Sequence, residues 1–534
     1  MDCLVNSVGT KNFGLAFSYE RSSPFRIGRR ARFAVAGNVR PNTCWCMRGI
    51  WLAAITVLLC MQSAVAATWY VSTSGSDSNN GKSDSTALKT IQKAVDKAAA
   101  NDIILVSKGT YSYITIPKSK TGLTVKATGS VAETIIKGGS GHRCVTIADG
   151  TVTNIFVEGF TLTGGYLGSG QGDGAGALGG TYNNCTITAN SCSTDAAGAK
   201  YCTLNGCTIS NNSCSDWHGG IEYCIASNCV IKGNKSTHAG AGGADNCTLI
   251  ESQIIGNTGG NRGGGASGCL LYRCFLENNT QTTSTLPGKD INGGSAYDCV
   301  IKSNKGSKSI VAAKCYNCTI VSTTGSPSIW RDTYLYNCII SSTGNAFGID
   351  GDNNWKVYLY NCLLNNVSLG SYTTKSGCVT ANPKFVSTSN FSLQKTSPCV
   401  DKGNNSYVNT SKDYVGKQRI ANGKVDIGAY EYQPPVFSIK SVTAAQRYPW
   451  NGLVDVQFSF TEVNNNSGQV SLSAKDVAGN TNLPMKTIFK SNGTAVNMSG
   501  ESLSPGTYKW VWNAAADLPK DFKCDRVTVT VNVE

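Results

Sequence analysis

The amino-acid sequence predicts an all-β protein: a right-handed parallel β-helix solenoid with an N-terminal capping helix, followed by a small C-terminal β-sandwich. Three observations predict this fold class. A short motif recurs about every twenty residues, glycine is abundant at 59 residues, and 534 residues are too many for one compact core. The apolar content of 40% indicates that the chain folds, because disordered chains are poorer in apolar residues.

A six-residue motif carries the repeat: Cys, any residue, Ile or Leu, two further residues, Asn. Its first position falls at residues 185, 207, 229, 252, 274, 299, 318, 338 and 362, so the rungs keep one register. Because side chains alternate along a strand, Cys207 and Ile209 point to one face, and successive rungs build buried columns. Each rung is predicted to contain a glycine turn, a short strand, a bend, a second short strand and an Asn corner. The predicted structural ladder comprises Cys185, Cys207, Cys229, Cys274, Cys299, Asn190, Asn212, Asn234, Asn257, Asn279 and Asn304.

Both columns are structural. Stacked asparagine amides bond along a solenoid as they do in cross-β ladders, and Asn tolerates the left-handed backbone that a sharp corner requires. Four of the 23 cysteines precede residue 67, which leaves an odd number in the rest of the chain. In-register neighbours about 4.8 Å apart point the same way and have poor disulfide geometry, so most cysteines are predicted to be buried thiols. Cys315 and Cys318 fit two ladder positions rather than a zinc site.

Residues 1–66 are predicted to be a leader with a signal peptide. The apolar h-region at about 50–59 follows Arg48, and Ala64-Val65-Ala66 fits a cleavage site near 66/67. An uncleaved membrane anchor is the alternative, and residues 1–46 fit a mis-assigned start or an extended leader. We therefore expect a secreted or cell-surface protein, associated with a membrane only through the leader or an outer-membrane partner.

The predicted β-helix covers residues 67–433 and the predicted β-sandwich residues 434–534. Residues 86–100 carry apolar side chains at steps of 3, 4 and 3, which predicts one amphipathic helix that caps the open first rung. Pro434-Pro435 marks a linker. The alternating segments after it predict a β-sandwich: 439–442, 454–460, 469–474, 508–512 and 527–533.

The formal net charge of +14 includes the Arg-rich leader, so the rest of the chain is only mildly cationic. Such a surface suits an acidic polysaccharide or a cell envelope, although solubility alone also accounts for it. The chain after the leader contains no dense basic run, and nucleic acid is not an expected partner for an exported protein.

Three segments near the start resemble the opening of right-handed β-helix proteins of the pectate-lyase-like superfamily: WYVSTSGSDSNNG at 69–81, TIQKAVDKA at 90–98 and DIILVSKGTY at 102–111. Three later segments resemble the closing part of bacterial exported β-helix proteins of the choice-of-anchor Q type: NPKFV at 382–386, LQKTSPCVDKG at 393–403 and VDIGAYEY at 425–432. The resemblance implies a β-helix fold and export. It also implies, as an alternative to binding alone, a polysaccharide lyase or glycoside hydrolase acting on acidic polysaccharide such as pectate.

The rungs are also similar to the repeats of chlamydial polymorphic outer membrane proteins, since GGI at 219–221 and GGA at 242–244 and 264–266 alternate with IxxN or LxxN. Ile or Leu replaces the family's Phe, and no C-terminal outer-membrane barrel is visible. This likeness implies adhesion. QRYPWNGLVDV at 446–456 resembles a motif of small β-domains that follow exported bacterial repeat proteins.

A lyase of this fold needs carboxylates that hold Ca²⁺ and a Lys or Arg that takes a proton, and a hydrolase needs paired carboxylates. The loop FGIDGDNNWK supplies the catalytic candidates Asp350, Asp352 and Lys356, and the first two are also the candidates for Ca²⁺, the one cofactor considered. A turn is the alternative for this loop. The substrate-binding candidates are Asp216, His218, His238, Trp355 and Trp450. Glu222 and Asp245 lie near the two histidines, on glycine-rich turns of adjacent rungs. These side chains are expected either to converge or to stay solvated.

Three functions therefore stay open: an adhesion protein, a polysaccharide-cleaving enzyme and a scaffold that binds glycan without cleaving it. No Asp-Asp pair occurs in the rungs, which favours binding or adhesion over catalysis. The sequence thus predicts an exported β-helix protein whose partner is a polysaccharide or cell-surface glycan. A lyase or hydrolase is the alternative, and the oligomeric state is left open.

Overall fold

The computed structural model describes residues 66–147, 154–282, 288–303, 308–324, 327–448, 451–462, 467–478, 480–497, 500–522 and 527–533. The signal-peptide h-region, Asn304 and Trp450 lie outside these residues. The chain forms two compact units, one ending at Tyr432 and the other beginning at Gln433. None of the described helices has the length and apolar character of a transmembrane span.

The first unit is a parallel β-helix, which confirms the predicted all-β solenoid. Its strands stack in parallel register into sheets A, B, C and D, with 14, 13, 12 and 6 strands in the described part of the chain. Sheet A contains Thr68–Val71, Ile103–Val106, Thr124–Ala127, Phe156–Glu158, Thr181–Asn183, Thr203–Asn205, Ile225–Ser227, Thr248–Ile250, Leu270–Tyr272, Ser295–Tyr297, Lys314–Tyr316, Thr333–Tyr336, Val357–Tyr360 and Thr373–Ser376. Sheet B contains Gly109–Ser112, Thr134–Lys137, Thr161–Thr163, Thr186–Thr188, Thr208–Ser210, Val230–Lys232, Gln253–Ile255, Phe275–Glu277, Val300–Lys302, Thr319–Ser322, Ile339–Ser342, Leu363–Asn365 and Val379–Thr380.

Sheet C contains Ile114–Ile116, Val145–Ile147, Ala177–Leu178, Ala199–Lys200, Ile221–Glu222, Ala244–Asp245, Ala266–Ser267, Ile291–Asn292, Ile310–Val311, Ser328–Trp330, Phe347–Asp350 and Val367–Leu369. Sheet D contains Tyr166–Leu167, Ser191–Cys192, Ser213–Cys214, Lys235–Ser236, Thr258–Gly259 and Thr280–Gln281. The prediction of two strands per rung was therefore wrong, because a rung has three strands and, in the middle of the solenoid, four. Most strands of sheets C and D are two residues long, which is too short for apolar alternation to show in the sequence.

The predicted Cys and Ile columns form the core of the solenoid. Cys207 and Cys229 are 1% exposed and Ile209 is fully buried. The thiols also bond to backbone: the Cys207 S–H donates to the carbonyl of Tyr182 at 3.3 Å, and the N–H of Cys185 donates to Cys207 Sγ at 3.4 Å. All 18 described cysteines are free thiols. Sulfur thus serves as a small apolar filler that also satisfies backbone groups at the bend.

The Asn column is a continuous amide ladder inside the corner that follows sheet B. Nδ2 of Asn212 donates to Oδ1 of Asn234 at 3.0 Å, and Nδ2 of Asn234 donates to Oδ1 of Asn257 at 3.1 Å. The prediction that the ladder Asn itself has the left-handed backbone was wrong. The residue before it has this conformation, for example Asn211 at φ 54° and Gly233 at φ 64°. This placement turns the ladder side chain inward, where Asn234 is fully buried.

Replacing Asn234 with Ala is expected to lower the free energy of unfolding by about 1–3 kcal/mol, because buried partners above and below lose their hydrogen bonds. Equilibrium urea unfolding measures the effect. Asn205→Ala is the matched control, since Asn205 bonds to Asn183 on the outer, partly exposed face of sheet A and a smaller loss is expected. Equal midpoints for Asn234→Ala and the wild type would contradict the ladder.

The capping helix spans Ile91–Lys97, which is shorter than the predicted 86–100. The N–H of Leu88 donates to the carbonyl of Tyr70 at 2.8 Å, so residues before the helix are extended alongside the first strand. A 3-10 turn precedes them at Asp84–Thr86, and another follows the first rung at Lys118–Lys120. Thr90 is the N-cap, with its side chain accepting from the N–H of Lys93 at 3.2 Å.

The rungs end at Val379–Thr380, so the solenoid is not uninterrupted to residue 433 as predicted. Residues 381–432, the strap, contain no strand longer than an isolated bridge, and one 3-10 turn at Asn405–Tyr407. The strap folds back onto the outer face of sheet B, where Leu393 and Ile427 pack against Ile339 and Leu363. This burial explains why the outer positions of sheet B are apolar in the late rungs.

The second unit consists of two antiparallel sheets that share one apolar core. The first sheet contains Phe437–Gln446, Leu453–Glu462, Gly506–Asn513 and Ile488–Lys490, and the second contains Thr481–Leu483, Gly468–Asp476, Glu501–Leu503 and Val527–Val533. A short helix, Ala514–Asp517, follows one strand. The five predicted strands are present, whereas the three strands of three residues were not predicted.

Candidate functional site

The outer face of sheet A carries two rows of tyrosines in the C-terminal half of the solenoid, which we call the tyrosine face. The longer row stacks in register with ring centroids 5.0, 5.0, 4.8 and 5.1 Å apart, and the shorter row stacks at 4.6 Å. The longer row is Tyr272, Tyr297, Tyr316, Tyr336 and Tyr360, and the shorter row is Tyr334 and Tyr358. All seven are partly exposed.

Strand alternation places these rings outside. Leu335, between Tyr334 and Tyr336, is fully buried in the core, so both tyrosines point away from it. In earlier rungs the positions equivalent to the longer row hold polar residues such as Asn183 and Asn205 and then Ile250. This row therefore changes from polar to aromatic residues through Ile250, without any change of backbone architecture.

The stacked rings present their edges and hydroxyl groups to solvent, since their faces lie against one another. Partial burial raises the pKa of Tyr316 and Tyr336, so both hydroxyls stay protonated and can donate as well as accept hydrogen bonds. The strap forms one wall: the Tyr407 ring tilts against Tyr336, with centroids 4.8 Å apart. Lys314 adds a positive charge, its Nζ 6.0 Å from the Tyr334 ring.

The loop with the predicted catalytic residues follows sheet C. Asp350 Oδ1 accepts hydrogen bonds from the N–H groups of Gly351 at 2.8 Å and Tyr372 at 3.1 Å. Asp352 Oδ1 accepts from the N–H groups of Asn354 at 3.0 Å and Trp355 at 3.1 Å. One oxygen of Asp352 thus closes a turn, whereas one oxygen of Asp350 joins its loop to the backbone of the next rung.

The remaining groups of this loop are open to solvent. Asp352 Oδ2 lies 3.8 Å from a guanidinium nitrogen of Arg331, and the side chains of Trp355 and Lys356 are exposed. Among the described residues, the one group of three side chains close enough to hold a metal ion does not include Asp350 or Asp352. Their catalytic and Ca²⁺ roles stay predictions.

The structure divides the predicted histidine group into two parts. His238 and Asp216 form a surface pair, with Nδ1 3.1 Å from Oδ1 and side chains 76% and 45% exposed. His218, Glu222 and Asp245 are buried instead. They belong to a charged cluster on sheet C and the turns that precede it: Asp173, Asp195, Lys200, His218, Glu222 and Asp245.

Lys200 is the centre of the charged cluster. Its Nζ lies 2.9 Å from Asp173 Oδ2, 2.8 Å from Asp195 Oδ2 and 2.6 Å from Glu222 Oε2, so its three N–H groups face three carboxylates. The Glu222 contact is an ion pair rather than an aligned hydrogen bond. The side chain of Lys200 is only 8% exposed. The salt bridges and hydrogen bonds raise its pKa despite its burial.

His218 connects two of the carboxylates. Its Nδ1 donates to Asp195 Oδ1 at 2.5 Å, and its Nε2 lies 3.3 Å from Asp245 Oδ2. Burial opposes protonation, but the bond to Asp195 and the nearby carboxylates raise the pKa of His218 overall. Burial raises the pKa of Glu222 to about 7. Burial also acts to raise the pKa of Asp195, but hydrogen bonds to Asp195 lower it overall.

The charged cluster has the side chains of a metal or acid-base site but is closed. Ligand atoms of Asp195, His218 and Glu222 lie within 4.8 Å of one another, yet the Lys200 ammonium already takes the position between the two carboxylates. The side chains of His218 and Glu222 are 4% and 5% exposed, so a polysaccharide cannot reach them. We interpret the cluster as a charge-balanced structural element.

Sequence reasoning missed Asp173, Asp195 and Lys200. A signal was present, because Lys200, Glu222 and Asp245 occupy one register position in three successive rungs of sheet C. Charged residues repeated at one solenoid position indicate stacked ion pairs, just as the Cys and Asn columns indicate stacked core residues.

The fold and the tyrosine face define a parallel β-helix protein with an aromatic outer surface. The chain matches no protein-family model and no curated protein sequence. Fifteen chains of solved structures match it, and three of them serve as examples. They are pectate lyase Pel9A (15% identity, 70% of this chain and 98% of that one, TM-score 0.33), XylC with xylose (10%, 68% and 98%, 0.40) and a PL6 family polysaccharide lyase from Pseudopedobacter saltans (9%, 58% and 96%, 0.28).

The matched structures include a pectate lyase and another polysaccharide lyase, while the parallel β-helix of this chain is shown by its own strand register. At such identities and TM-scores they assign no activity to this chain. The resemblances to choice-of-anchor Q proteins and to polymorphic outer membrane proteins stay predictions.

Proposed function

We propose that this protein is an exported or cell-surface polysaccharide-binding protein whose binding surface is the tyrosine face. The observation that carries the proposal is the in-register tyrosine row with its nearly constant spacing of 4.8–5.1 Å. A periodic row of aromatic edges and hydroxyls complements a periodic ligand, since each rung offers one apolar edge and one hydrogen-bonding group.

Binding without cleavage fits the remaining chemistry better than catalysis does. The cluster that contains paired carboxylates is closed around Lys200, and one carboxylate oxygen of Asp350 and one of Asp352 are held by backbone N–H groups. A hydrolase or lyase needs such groups within reach of the substrate. The tyrosine face needs no reactive group, because affinity there comes from packing and hydrogen bonds.

Replacing both Tyr316 and Tyr336 with Ala is expected to weaken polysaccharide binding about tenfold or more, because two central rings and their hydroxyls are lost. Affinity electrophoresis of the full chain in gels containing pectate, alginate or xylan measures retention. Replacing the same residues with Phe is expected to give a smaller loss, since packing is kept and only the hydroxyls are removed.

The matched control replaces Tyr201 and Tyr223 with Ala. These rings also stack, with centroids 5.4 Å apart, but lie outside the tyrosine face at the bend after sheet C. Retention equal to wild type in the Tyr316 and Tyr336 variant, or a wild type that no polysaccharide retains, would contradict the proposal. Unsaturated uronate products released by the wild type would favour the lyase alternative.

A further inference from the structure

A groove of ≈ 380 Å³ lies between sheet B and the strap, separate from the tyrosine face. Its volume is in the range of small-ligand sites. One wall comes from the ends of the late sheet B strands, including Ser341 and Asn365, which stand in register on neighbouring strands. The opposite wall is the start of the strap and includes Lys384, Phe385 and Gln394.

The strap wall of the groove is held rigidly. Gln394 Nε2 donates to the carbonyl of Phe385 at 2.9 Å, and the N–H of Gln394 donates to the carbonyl of Lys384 at 3.1 Å. The Phe385 ring packs edge-on against Phe391, with centroids 5.3 Å apart. On the other wall, Asn365 Nδ2 donates to Ser341 Oγ at 2.9 Å. A groove fixed in this way loses little conformational entropy when a ligand enters it.

Lys384 is held in an unfavourable backbone conformation at the rim of the groove. Its φ is 51°, in the left-handed region that favours Gly or Asn over Lys. The Asn382 side chain stabilises this turn by accepting from the N–H of Lys384 at 2.8 Å. This hydrogen bond therefore fixes the backbone from which the Lys384 side chain extends at the rim.

The ammonium of Lys384 has no acidic partner in the described part of the chain. Its one hydrogen bond is to Thr396 Oγ1 at 3.5 Å, the limit for such a contact. No carboxylate is among the residues that line the groove. The groove therefore combines hydroxyl and amide groups, an aromatic ring and one uncompensated positive charge.

We propose that this groove binds a short acidic sugar segment, with a uronate carboxylate on Lys384. The serine hydroxyls and the Asn and Gln amides of the walls pair with sugar hydroxyls, and Phe385 packs against the apolar face of a ring. A hydrogen bond from an ammonium to a carboxylate is stronger than one between neutral groups, so the charge decides which sugar binds. The site is a second one, since it shares no residue with the tyrosine face.

Titration calorimetry of the full chain with galacturonate trimer, and with its methyl ester, tests the proposal. The ester keeps the shape of the trimer and removes its charge. The wild type is expected to bind the acid at least about tenfold more tightly than the ester. Lys384→Met is expected to lower affinity for the acid to that of the ester and to leave ester binding unchanged.

Two further variants show whether the effect belongs to this groove alone. Lys395→Met removes a neighbouring exposed lysine of the strap and is expected to bind as the wild type does. In the Tyr316 and Tyr336 double Ala variant the difference in affinity between acid and ester is expected to persist, so this site and the tyrosine face can fail separately. Equal affinity of wild type and Lys384→Met, equal losses in both lysine variants, or no binding of the acid by the wild type would overturn the proposal.

Discussion

Lys200→Met is expected to lower the free energy of unfolding by about 3–5 kcal/mol, the usual cost of removing one partner from a buried ion pair. Lys200 faces Asp173, Asp195 and Glu222 at 2.6–2.9 Å and is nearly inaccessible to water. Methionine has a similar length but no charge. The variant therefore leaves three carboxylates close together, opposed by His218 and, at Asp173, by Arg143.

The pH dependence distinguishes charge repulsion from a simple packing defect. Loss of the ammonium removes a group that favours the ionised form of Glu222, whose pKa is already raised to about 7. At pH 5 the carboxyl group is protonated in the folded variant and repulsion is relieved, whereas at pH 8 the folded variant must either ionise it beside the other carboxylates or hold a proton that the unfolded chain releases. The deficit relative to wild type is therefore expected to be larger at pH 8 than at pH 5.

Urea unfolding at both pH values measures the deficit. Lys232→Met is the matched control, because Lys232 is exposed on a sheet B strand and a change within about 0.5 kcal/mol is expected. Adding Glu222→Gln to Lys200→Met is expected to recover part of the loss. A Lys200→Met variant as stable as the control, or a deficit equal at pH 5 and pH 8, would show that the cluster is not charge-balanced by Lys200.

Most of the solenoid could be predicted because the same short pattern of Cys and apolar residues recurs in successive rungs. One strand such as Thr208–Ser210 has no reliable signature, but Cys207 and Ile209 at the same positions in successive rungs fix both register and burial. The tyrosine row was not predicted but could have been found in the same way. Tyr272, Tyr297, Tyr316, Tyr336 and Tyr360 each stand two residues before a ladder cysteine.

The histidine group was only partly predicted: side chains on turns of adjacent rungs were expected either to converge or to stay solvated, and the structure divides them between the two. His218 bonds to Asp195, about one rung earlier, and Asp216 pairs with His238, one rung later. Sequence neighbours such as Asp216 and His218 can thus belong to different environments. Their burial depends on how the turns before sheet C cover them, which no local pattern encodes.

The strap was not predicted as a separate element because its contacts are far apart in sequence. The N–H of Ala429 donates to Thr319 Oγ1 at 2.9 Å across 110 residues. The closing motifs at 382–386, 393–403 and 425–432 indicate where the strap is but not which face it covers. The apolar outer positions of sheet B, such as Ile339 and Leu363, carry that information. Strand alternation places these side chains on the outside of the solenoid, where an apolar residue indicates a covering segment, and the strap buries them.

Arg419 holds the strap on the solenoid. Its Nη2 donates to the carbonyls of Asp426 at 3.0 Å and Gly428 at 2.6 Å, and its Nε lies 3.2 Å from Asp298 Oδ1 of the solenoid. The contact between Arg419 and Asp298 is an ion pair without hydrogen-bond geometry. The Arg419 and Asp298 side chains are 1% and 0% exposed, and Glu431 lies 4.0 Å from a second guanidinium nitrogen.

Arg419→Met is expected to lower the free energy of unfolding by about 3–5 kcal/mol and to release the strap, because buried carboxylates lose the guanidinium that they contact. Limited proteolysis is expected to cleave the strap faster than in the wild type, and urea unfolding measures the stability loss. Arg419→Lys is expected to recover only part of it, since an ammonium cannot reproduce the planar set of contacts. Lys412→Met, an exposed substitution in the strap, is the control.

The sign of the pH effect follows from the carboxylates around Arg419. Burial raises the pKa of Asp298 and Asp426 to about 6 and that of Glu431 to about 7. Since the folded state binds these protons more tightly than the unfolded state, stability from these groups is full at about pH 4 and is lost as the pH rises through 6 and 7. Without Arg419 the same pKa values rise further, so the deficit of Arg419→Met is expected to grow from pH 5 to pH 8. A deficit that is constant over this range, with strap cleavage at the wild-type rate, would mean that apolar packing on sheet B alone holds the strap.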